Sequence, residues 1–162
     1  PDAFADFKKV ADEIKSEKSE VHCLTAAVGN KDGKVKFLKT KESAVGGILP
    51  PAKGLAERVP TGDHLIAEEF EVDLITVTSL VKKFNLTSID LLKIDIEGSE
   101  YAVLDQVLED NIDIKQLVVE VHERYIENGK LLTTKMIESL KAKGYKLFAK
   151  SLSREELSFI KM

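Results

Sequence analysis

The amino-acid sequence predicts an α/β fold in which helices cover a mostly parallel sheet. The second half alternates apolar, strand-like runs with helical segments, a pattern typical of parallel sheets. Two of these runs, residues 89–96 and 114–121, are apolar enough to be buried strands. A short turn separates the last two strand-like segments, which predicts an antiparallel strand at the C-terminus.

The sequence pattern in the first half of the chain predicts one helix, then three strands and a second helix. Residues 2–17 carry apolar side chains at helical spacing, and Asp2 is available as a cap. An NKDG turn at 30–33 separates the first two strands. The second helix begins within TVTSLVKKFN, with Thr78 or Ser79 near its cap. The three predicted strands are residues 20–28, 34–39 and 68–77.

A long irregular connection, residues 40–66, separates the second and third strands. It contains the Gly46–Gly47 and Pro50–Pro51 pairs, which interrupt regular structure. A loop of this length in a compact domain is more often functional than idle.

The second half predicts two strand–helix units and a final strand pair. The strands at 89–96 and 114–121 precede helices at about 100–108 and 131–142. Gly144 ends the second helix in the usual glycine position. The segments near 21–28, 89–96, 115–121 and 144–149 are expected to run parallel, with 89–96 away from the sheet edge, and 156–162 is expected to run antiparallel.

Composition and charge exclude several classes of protein. The 162 residues are 43% hydrophobic and 32% charged, which suits one globular domain. A net charge of -4 argues against binding to nucleic acid or an anionic membrane, and no apolar stretch approaches the roughly 20 residues of a membrane span. The charged, helical start is not a signal peptide. Without an initiator methionine, the chain is expected to begin at a processing site or at a cut inside a longer protein.

The lone cysteine bears on the compartment of the protein. Cys23 has no partner in the sequence for an internal disulfide, and this cysteine usage is typical of a reducing compartment. A cytoplasmic location is therefore predicted. Cys23 itself is interpreted as a small buried hydrophobic residue of a strand.

Acidic side chains follow two neighbouring strands of the predicted sheet. In residues 89–96 the side chains alternate, so Lys93, Asp95 and Glu97 point away from the apolar face. Gly98 lets the backbone turn tightly into the next helix, whose first N–H groups favour nearby anionic groups. The next strand ends in Glu120, His122 and Glu123. Ligands of open parallel sheets bind at these carboxyl ends, so a site is predicted here.

A structural explanation of the same residues remains open. Strands often end in charged residues because they reach solvent. Glu97 and Glu100 are also explained as a pair favoured by the helix dipole, each worth a few tenths of a kcal/mol. A single histidine such as His122 more often lies at the surface or forms a structural hydrogen bond than acts in catalysis. The side chain of Lys93 can extend along its strand so that its ammonium group reaches water.

The segment DLLKIDIEGSEYAVL, residues 90–104, resembles the signature of the FkbM family of S-adenosylmethionine-dependent methyltransferases. That family has a strand Asp-Leu-Leu-Lys-Ile-Asp followed by Glu-Gly-(small)-Glu, matched here from Asp90 to Glu100. The resemblance covers nearly all of the chain. The further similar segments are PDAF (1–4), TAAVGNKDGKVKF (25–37), SAVGG (43–47), VVEVHE (118–123) and GYKLF (144–148).

This resemblance implies a Rossmann-like class I methyltransferase sheet, mostly parallel, with an antiparallel C-terminal strand. Two departures matter. Where the family has an aspartate before the signature, this chain has Thr76–Leu80, and its nine glycines form no glycine-rich cofactor loop. Residues 1–162 are therefore expected to be a single, partial methyltransferase domain that lacks its first strands. Alone it is expected to be inactive.

The resemblance also implies methyl transfer from S-adenosylmethionine to a hydroxyl of a small molecule or glycan. The expected roles are catalytic for Asp95, Glu97 and His122; cofactor-binding for Ala26, Ala27, Asp95 and Gly98; and substrate-binding for Glu120, Gly46 and Gly47. Core packing explains the alanines nearly as well. Gly46 and Gly47 are expected to form either a mobile flap over the acceptor or only a tight surface turn. An alternative is that a cluster of hard oxygen ligands holds a divalent cation that orients a diol acceptor. No ligand spacing demands a metal, so none is predicted.

Two other functions remain open. The missing glycine-rich loop favours a non-catalytic, methyltransferase-like module that binds a partner or glycan. Alternatively, Asp95, Glu97 and Glu120 would serve a metal-dependent phosphoryl-transfer enzyme, which predicts magnesium binding without the sulfonium cofactor.

Overall fold

The computed structural model describes residues 2–15, 19–40, 46–47 and 66–162, so most of the predicted connection 40–66 lies outside the described residues. Within these ranges the chain forms four α-helices and eight strands in two sheets. The helices are α1 (Asp2–Ile14), α2 (Val77–Lys83), α3 (Glu100–Glu109) and α4 (Gly129–Ala142), with a 3-10 helix at Glu123–Tyr125. The strands are β1 (Ala26–Val28), β2 (Gly33–Thr40), β3 (Gly46–Gly47), β4 (Ile66–Ile75), β5 (Ile89–Ile94), β6 (Ile114–Glu120), β7 (Tyr145–Lys150) and β8 (Glu156–Lys161).

The first sheet has the strand order β1-β4-β2-β3. β1 runs parallel to β4, whereas β2 runs antiparallel to both β4 and β3. Opposite charges face each other across β2 and β4, since Lys34 Nζ lies 3.1 Å from Glu71 Oε1 and Lys36 Nζ lies 3.2 Å from Glu69 Oε2. Such cross-strand pairs help to set the register of an antiparallel ladder.

The second sheet has the strand order β5-β6-β8-β7. β5 and β6 are parallel, with Ile94 opposite Val119. β8 is antiparallel to both of its neighbours, so β5, β6 and β7 all run in one direction. The antiparallel C-terminal strand was predicted correctly.

A mostly parallel sheet is not confirmed. Among the described residues only β1–β4 and β5–β6 are parallel pairs, and the other four pairings are antiparallel. The reason is that the long β4 pairs with β2 across an antiparallel ladder, and that β8 inserts between β6 and β7. The expectation that residues 89–96 lie away from an edge was also wrong, because no described strand pairs with the second side of β5.

The core lies between the second sheet and the helices α3 and α4. Leu104 on α3, Leu117 on β6, Leu140 on α4 and Phe159 on β8 are fully buried. α3 reaches this core because Val103, Leu104, Val107 and Leu108 recur at i, i+1, i+4 and i+5, which makes one apolar face. Gly144 follows α4 with φ 88°, a left-handed conformation in which glycine avoids Cβ strain.

The N-terminus of α2 is connected to the first sheet through Asp32. Thr76, in extended conformation, is the N-cap and accepts a hydrogen bond from Ser79 N at 3.1 Å. Thr76 N donates to Asp32 Oδ1 at 2.7 Å, and Ser79 Oγ donates to Asp32 Oδ2. The cap is therefore Thr76, one turn ahead of Ser79 and not Thr78 or Ser79 itself, since only Thr76 has the non-helical backbone that a cap needs.

An apolar cleft of ≈ 320 Å³ lies beside β5. Its walls include Val28 of β1, Val77 and Phe84 of the α2 region, and Leu92 and Ile94 of β5. Within the described ranges, β5 thus has one side without a strand partner and an apolar cleft next to it. None of the helices in the described ranges has the length and apolar character needed to span a bilayer.

Candidate functional site

The carboxyl end of β5 presents two carboxylates to solvent. Ile94 is buried, whereas Lys93, Asp95 and Glu97 are exposed, as the alternation predicted. The backbone then takes positive φ at Glu97 (53°) and Gly98 (104°) before α3 begins. A positive φ is uncommon for a residue with a side chain, so the turn holds Glu97 in a conformation that other contacts must stabilise.

Glu100 supplies those contacts. Its side chain is fully buried, and its Oε1 accepts hydrogen bonds from Ile96 N at 3.1 Å, Gly98 N at 3.0 Å and His122 Nδ1 at 2.8 Å. Burial by itself would raise the pKa of Glu100, but the hydrogen bonds from His122 and Gly98 more than offset it, so this pKa is lowered. Glu100 is therefore an ionised, buried acceptor that holds the turn closed.

The other oxygen of this carboxylate has a different environment. Oε2 of Glu100 is buried and has no hydrogen-bond partner among the described residues. Buried polar atoms are nearly always paired, so an orphaned carboxylate oxygen needs an explanation.

His122 links the end of β6 to the end of β5. Its Nδ1 faces Glu100, and its Nε2 lies 3.3 Å from Glu97 Oε2. The side chain is only 11% exposed. The pKa of His122 is raised, chiefly by the hydrogen bond to Glu100, against the opposing effect of burial; the charges of Glu100, Glu97 and Asp95 contribute further.

Asp95, Glu97 and His122 form one cluster. One ligand-type atom from each side chain lies within 4.8 Å of the other two. Lys93 Nζ lies 3.3 Å from Asp95 Oδ2. Glu120, at the end of β6, faces the same group, and its pKa is raised by burial and by the charge of Asp95. The parallel register of β5 and β6 thus brings together residues that are far apart in the chain.

The remaining predicted site residues lie elsewhere. Ala26 and Ala27 are half-buried in β1, within the first sheet, and Gly46 and Gly47 form β3 at the opposite edge of that sheet. Gly98 is buried beside the cluster, but its N–H already donates to Glu100. The roles given to these residues stay predictions.

Glu100 is the residue whose importance the sequence reasoning missed. The sequence indicated it as one of a pair favoured by the helix dipole and as the last residue of the signature, without a role in the site. A usable signal was present, because a glutamate in the first helical turn often reaches back to N–H groups of the preceding residues, as in a capping box. The apolar residues Tyr101, Val103 and Leu104 follow in the same helix. Because they pack in the core, they indicate that Glu100 is buried as well.

The chain was compared with known proteins. A family model described as the methyltransferase FkbM domain matches residues 4–147. No curated protein and no solved structure matches the chain. The matched range contains β1 to β6, α2 to α4, all of α1 except its first two residues, and every residue of the cluster at the ends of β5 and β6. The chain therefore belongs to the FkbM methyltransferase domain family.

Proposed function

We propose that the chain is part of an enzyme that transfers a methyl group from S-adenosylmethionine to a hydroxyl of a small molecule or glycan. Membership of a methyltransferase family supports the reaction class. The site is assigned from one observation. Asp95, Glu97 and His122 lie close together at the carboxyl ends of two parallel strands, where ligands of such sheets bind.

The electrostatics of the cluster suit the cofactor. When bound, S-adenosylmethionine supplies the methyl group from a positively charged sulfonium. Asp95 and Glu97 are solvent-accessible carboxylates, and Glu120 adds a third acidic group beside Asp95. A cation is attracted to such a group of acids more strongly than in bulk water, since the neighbouring protein lowers the effective dielectric constant.

The side chains around the cluster have separable roles in this proposal. Asp95 and Glu97 line the side next to the cofactor, and His122 with Glu120 lines the side of the acceptor. Asp95, or Glu97 as the next candidate, takes up the single proton of the acceptor hydroxyl as it reacts, and His122 helps to orient that hydroxyl. Glu100 is a positioning residue, because its hydrogen bond to Nδ1 holds the imidazole with Nε2 towards Glu97.

The residues present fit the cofactor in part. The small size of Gly98 leaves space for the cofactor. Its N–H does not bind the cofactor, because it already donates a hydrogen bond to Glu100. Ala26 and Ala27 are small, half-buried residues near the end of β1, where an adenine edge would find little steric hindrance. The acceptor is proposed only as a hydroxyl compound, because no described feature selects one.

The phosphoryl-transfer alternative is less well supported. An acidic cluster serves such an enzyme by holding a cation that neutralises phosphate oxygens, so metal binding by itself does not separate the two reactions. Membership of a methyltransferase family is what favours methyl transfer.

A transfer assay on the full-length protein tests the proposal. S-adenosylmethionine with a radioactive methyl group would be incubated with mixed polyols and oligosaccharides, and label in base-stable products would identify methyl ethers. We expect Asp95→Asn to reduce this label at least about 100-fold, in the range of lost general-base catalysis. Asp105→Asn, an exposed change on α3, is the matched control and should retain the wild-type rate.

Two results would count against the proposal. If Asp95→Asn transferred methyl groups at the wild-type rate, Asp95 would have no catalytic role and would only be an exposed residue at the end of a strand. Tight binding of a glycan without any transfer, and without S-adenosylmethionine binding, would favour the non-catalytic module.

A further inference from the structure

We propose that Asp95, Glu97 and His122 form a binding site for one divalent metal ion, with the two carboxylates and His122 Nε2 as its protein ligands. The site goes beyond the proposed methyl transfer, which does not itself require a metal, and it is tested without the cofactor.

The distances between the three groups suit a common ion. Ligands about 2.1 Å from a metal lie about 3.0 Å apart when adjacent and about 4.2 Å apart when opposite. His122 Nε2 and Glu97 Oε2 are 3.3 Å apart, close to the adjacent spacing, and all three groups fall within 4.8 Å. Asp95 is exposed, so a small side-chain rotation can close the remaining gap.

Glu100 prepares His122 to act as a ligand. It accepts a hydrogen bond from Nδ1–H at 2.8 Å, which leaves the lone pair of a neutral imidazole on Nε2, facing Glu97. An unprotonated Nε2 and Glu97 Oε2 at 3.3 Å repel unless a positive centre joins them, and that centre is either a proton on Nε2 or a metal ion. Histidines that bind metals commonly donate their other N–H to a carboxylate in this way, which fixes the ring orientation.

The buried carboxylate is a second, independent observation. Glu100 is fully buried and contacts the cluster through His122, yet its Oε2 has no partner among the described residues. A buried anion is costly unless positive charge compensates it. Hydrogen bonds from His122 and Gly98 already stabilise the charge of Glu100, and a divalent ion bound to the far side of the same imidazole would add to that stabilisation.

The site would remain open to solvent on one side. The side chains of Asp95 and Glu97 are 40% and 41% exposed, so water or an acceptor hydroxyl can complete the coordination. Mixed carboxylate and imidazole ligands suit Mn²⁺ or Zn²⁺ better than Mg²⁺ alone, because imidazole is a poor partner for the hardest cations. In the context of the proposed function, such an ion would polarise the acceptor hydroxyl.

Manganese is the probe for the experiment. The purified 162-residue chain would be stripped with a chelator and titrated with Mn²⁺, and the free ion would be followed by electron paramagnetic resonance. We expect one saturable ion per chain. We also expect the pulsed spectrum of the bound ion to show coupling to a ¹⁴N nucleus, which only an imidazole ligand would supply here.

Variants identify the ligands. Asp95→Asn and Glu97→Gln change exposed side chains, so they should fold normally and weaken Mn²⁺ binding at least about ten-fold, as loss of a ligand does. His122→Gln should abolish the ¹⁴N coupling. Asp105→Asn and Glu127→Gln remove exposed acids away from the cluster and are the charge-matched controls.

Several results would overturn the proposal. One is the absence of saturable Mn²⁺ or Zn²⁺ binding up to millimolar concentration, which would mean that a proton alone bridges His122 and Glu97. Another is equal binding by Asp95→Asn, Glu97→Gln and the controls. If His122→Gln fails to fold, the two carboxylate variants decide the question. Because no methyl donor is present, failure here leaves the proposed transfer reaction standing.

Discussion

Replacing Glu100 with alanine should strongly destabilise the fold. The structure shows three donors converging on Glu100 Oε1: the N–H groups of Ile96 and Gly98 and the Nδ1–H of His122. Glu100→Ala leaves all three without their acceptor in a region where Glu100 itself is fully buried. An unsatisfied buried donor costs about 1–3 kcal/mol, and water entering the new cavity would relieve part of that cost. We therefore expect the free energy of unfolding to fall by about 3–5 kcal/mol.

The more conservative Glu100→Gln separates hydrogen bonding from charge. Glutamine keeps a carbonyl oxygen for the same donors, but it loses the charge that makes these bonds about twice as strong as neutral ones. Its amide N–H₂ would also occupy the position of the unpartnered Oε2. We expect a loss of about 1–2 kcal/mol, clearly smaller than for alanine.

Urea unfolding followed by circular dichroism measures both variants against the wild type. Glu109→Ala, an exposed change in the last turn of the same helix, is the matched control and should stay within about 0.5 kcal/mol. A loss below about 1 kcal/mol for Glu100→Ala would refute the reasoning, since Glu100 would then contribute no more than a charge near a helix terminus.

Three further predictions concern other parts of the molecule. The pKa of Asp32 is lowered, first by the hydrogen bond from Ser79 and then by that from Thr76 N, so its contribution to stability is present at neutral pH and lost as pH falls. Melting curves should therefore show Asp32→Asn less stable than the wild type at pH 7, by a difference that shrinks as the pH is lowered towards 3; a difference that does not change with pH would contradict this. In calorimetry the 162-residue chain should bind S-adenosylmethionine only weakly, because without a glycine-rich loop it lacks several hydrogen bonds of about 1.5–3 kcal/mol each. Micromolar affinity would show that this loop is not needed for binding. The side of β5 that pairs with no described strand should cause concentration-dependent self-association, measured by light scattering. Leu91→Lys, a change at an exposed position of β5, should reduce it, and a monomer at all concentrations would exclude it.

The local features of this protein were readable from the sequence because they depend on neighbours within a few residues. Period-two alternation in residues 89–96 placed Ile94 in the core and left Asp95 and Glu97 exposed, as the structure shows. The helices α3 and α4, the glycine that follows α4 and the antiparallel last strand were predicted for the same reason. The signature at 90–104 also indicates the family, because it is one contiguous motif.

Tertiary structure alone decided how the site is assembled. The 2.8 Å bond between His122 and Glu100 joins residues 22 positions apart, and it exists because β5 and β6 pair in the register that sets Ile94 opposite Val119. The connection of Asp32 to Thr76 spans 44 positions and likewise depends on how β2 meets β4. A sequence pattern reports which face a side chain takes along its own strand. Which side chains meet across strands depends on pairing and register, and those follow from how the whole core packs.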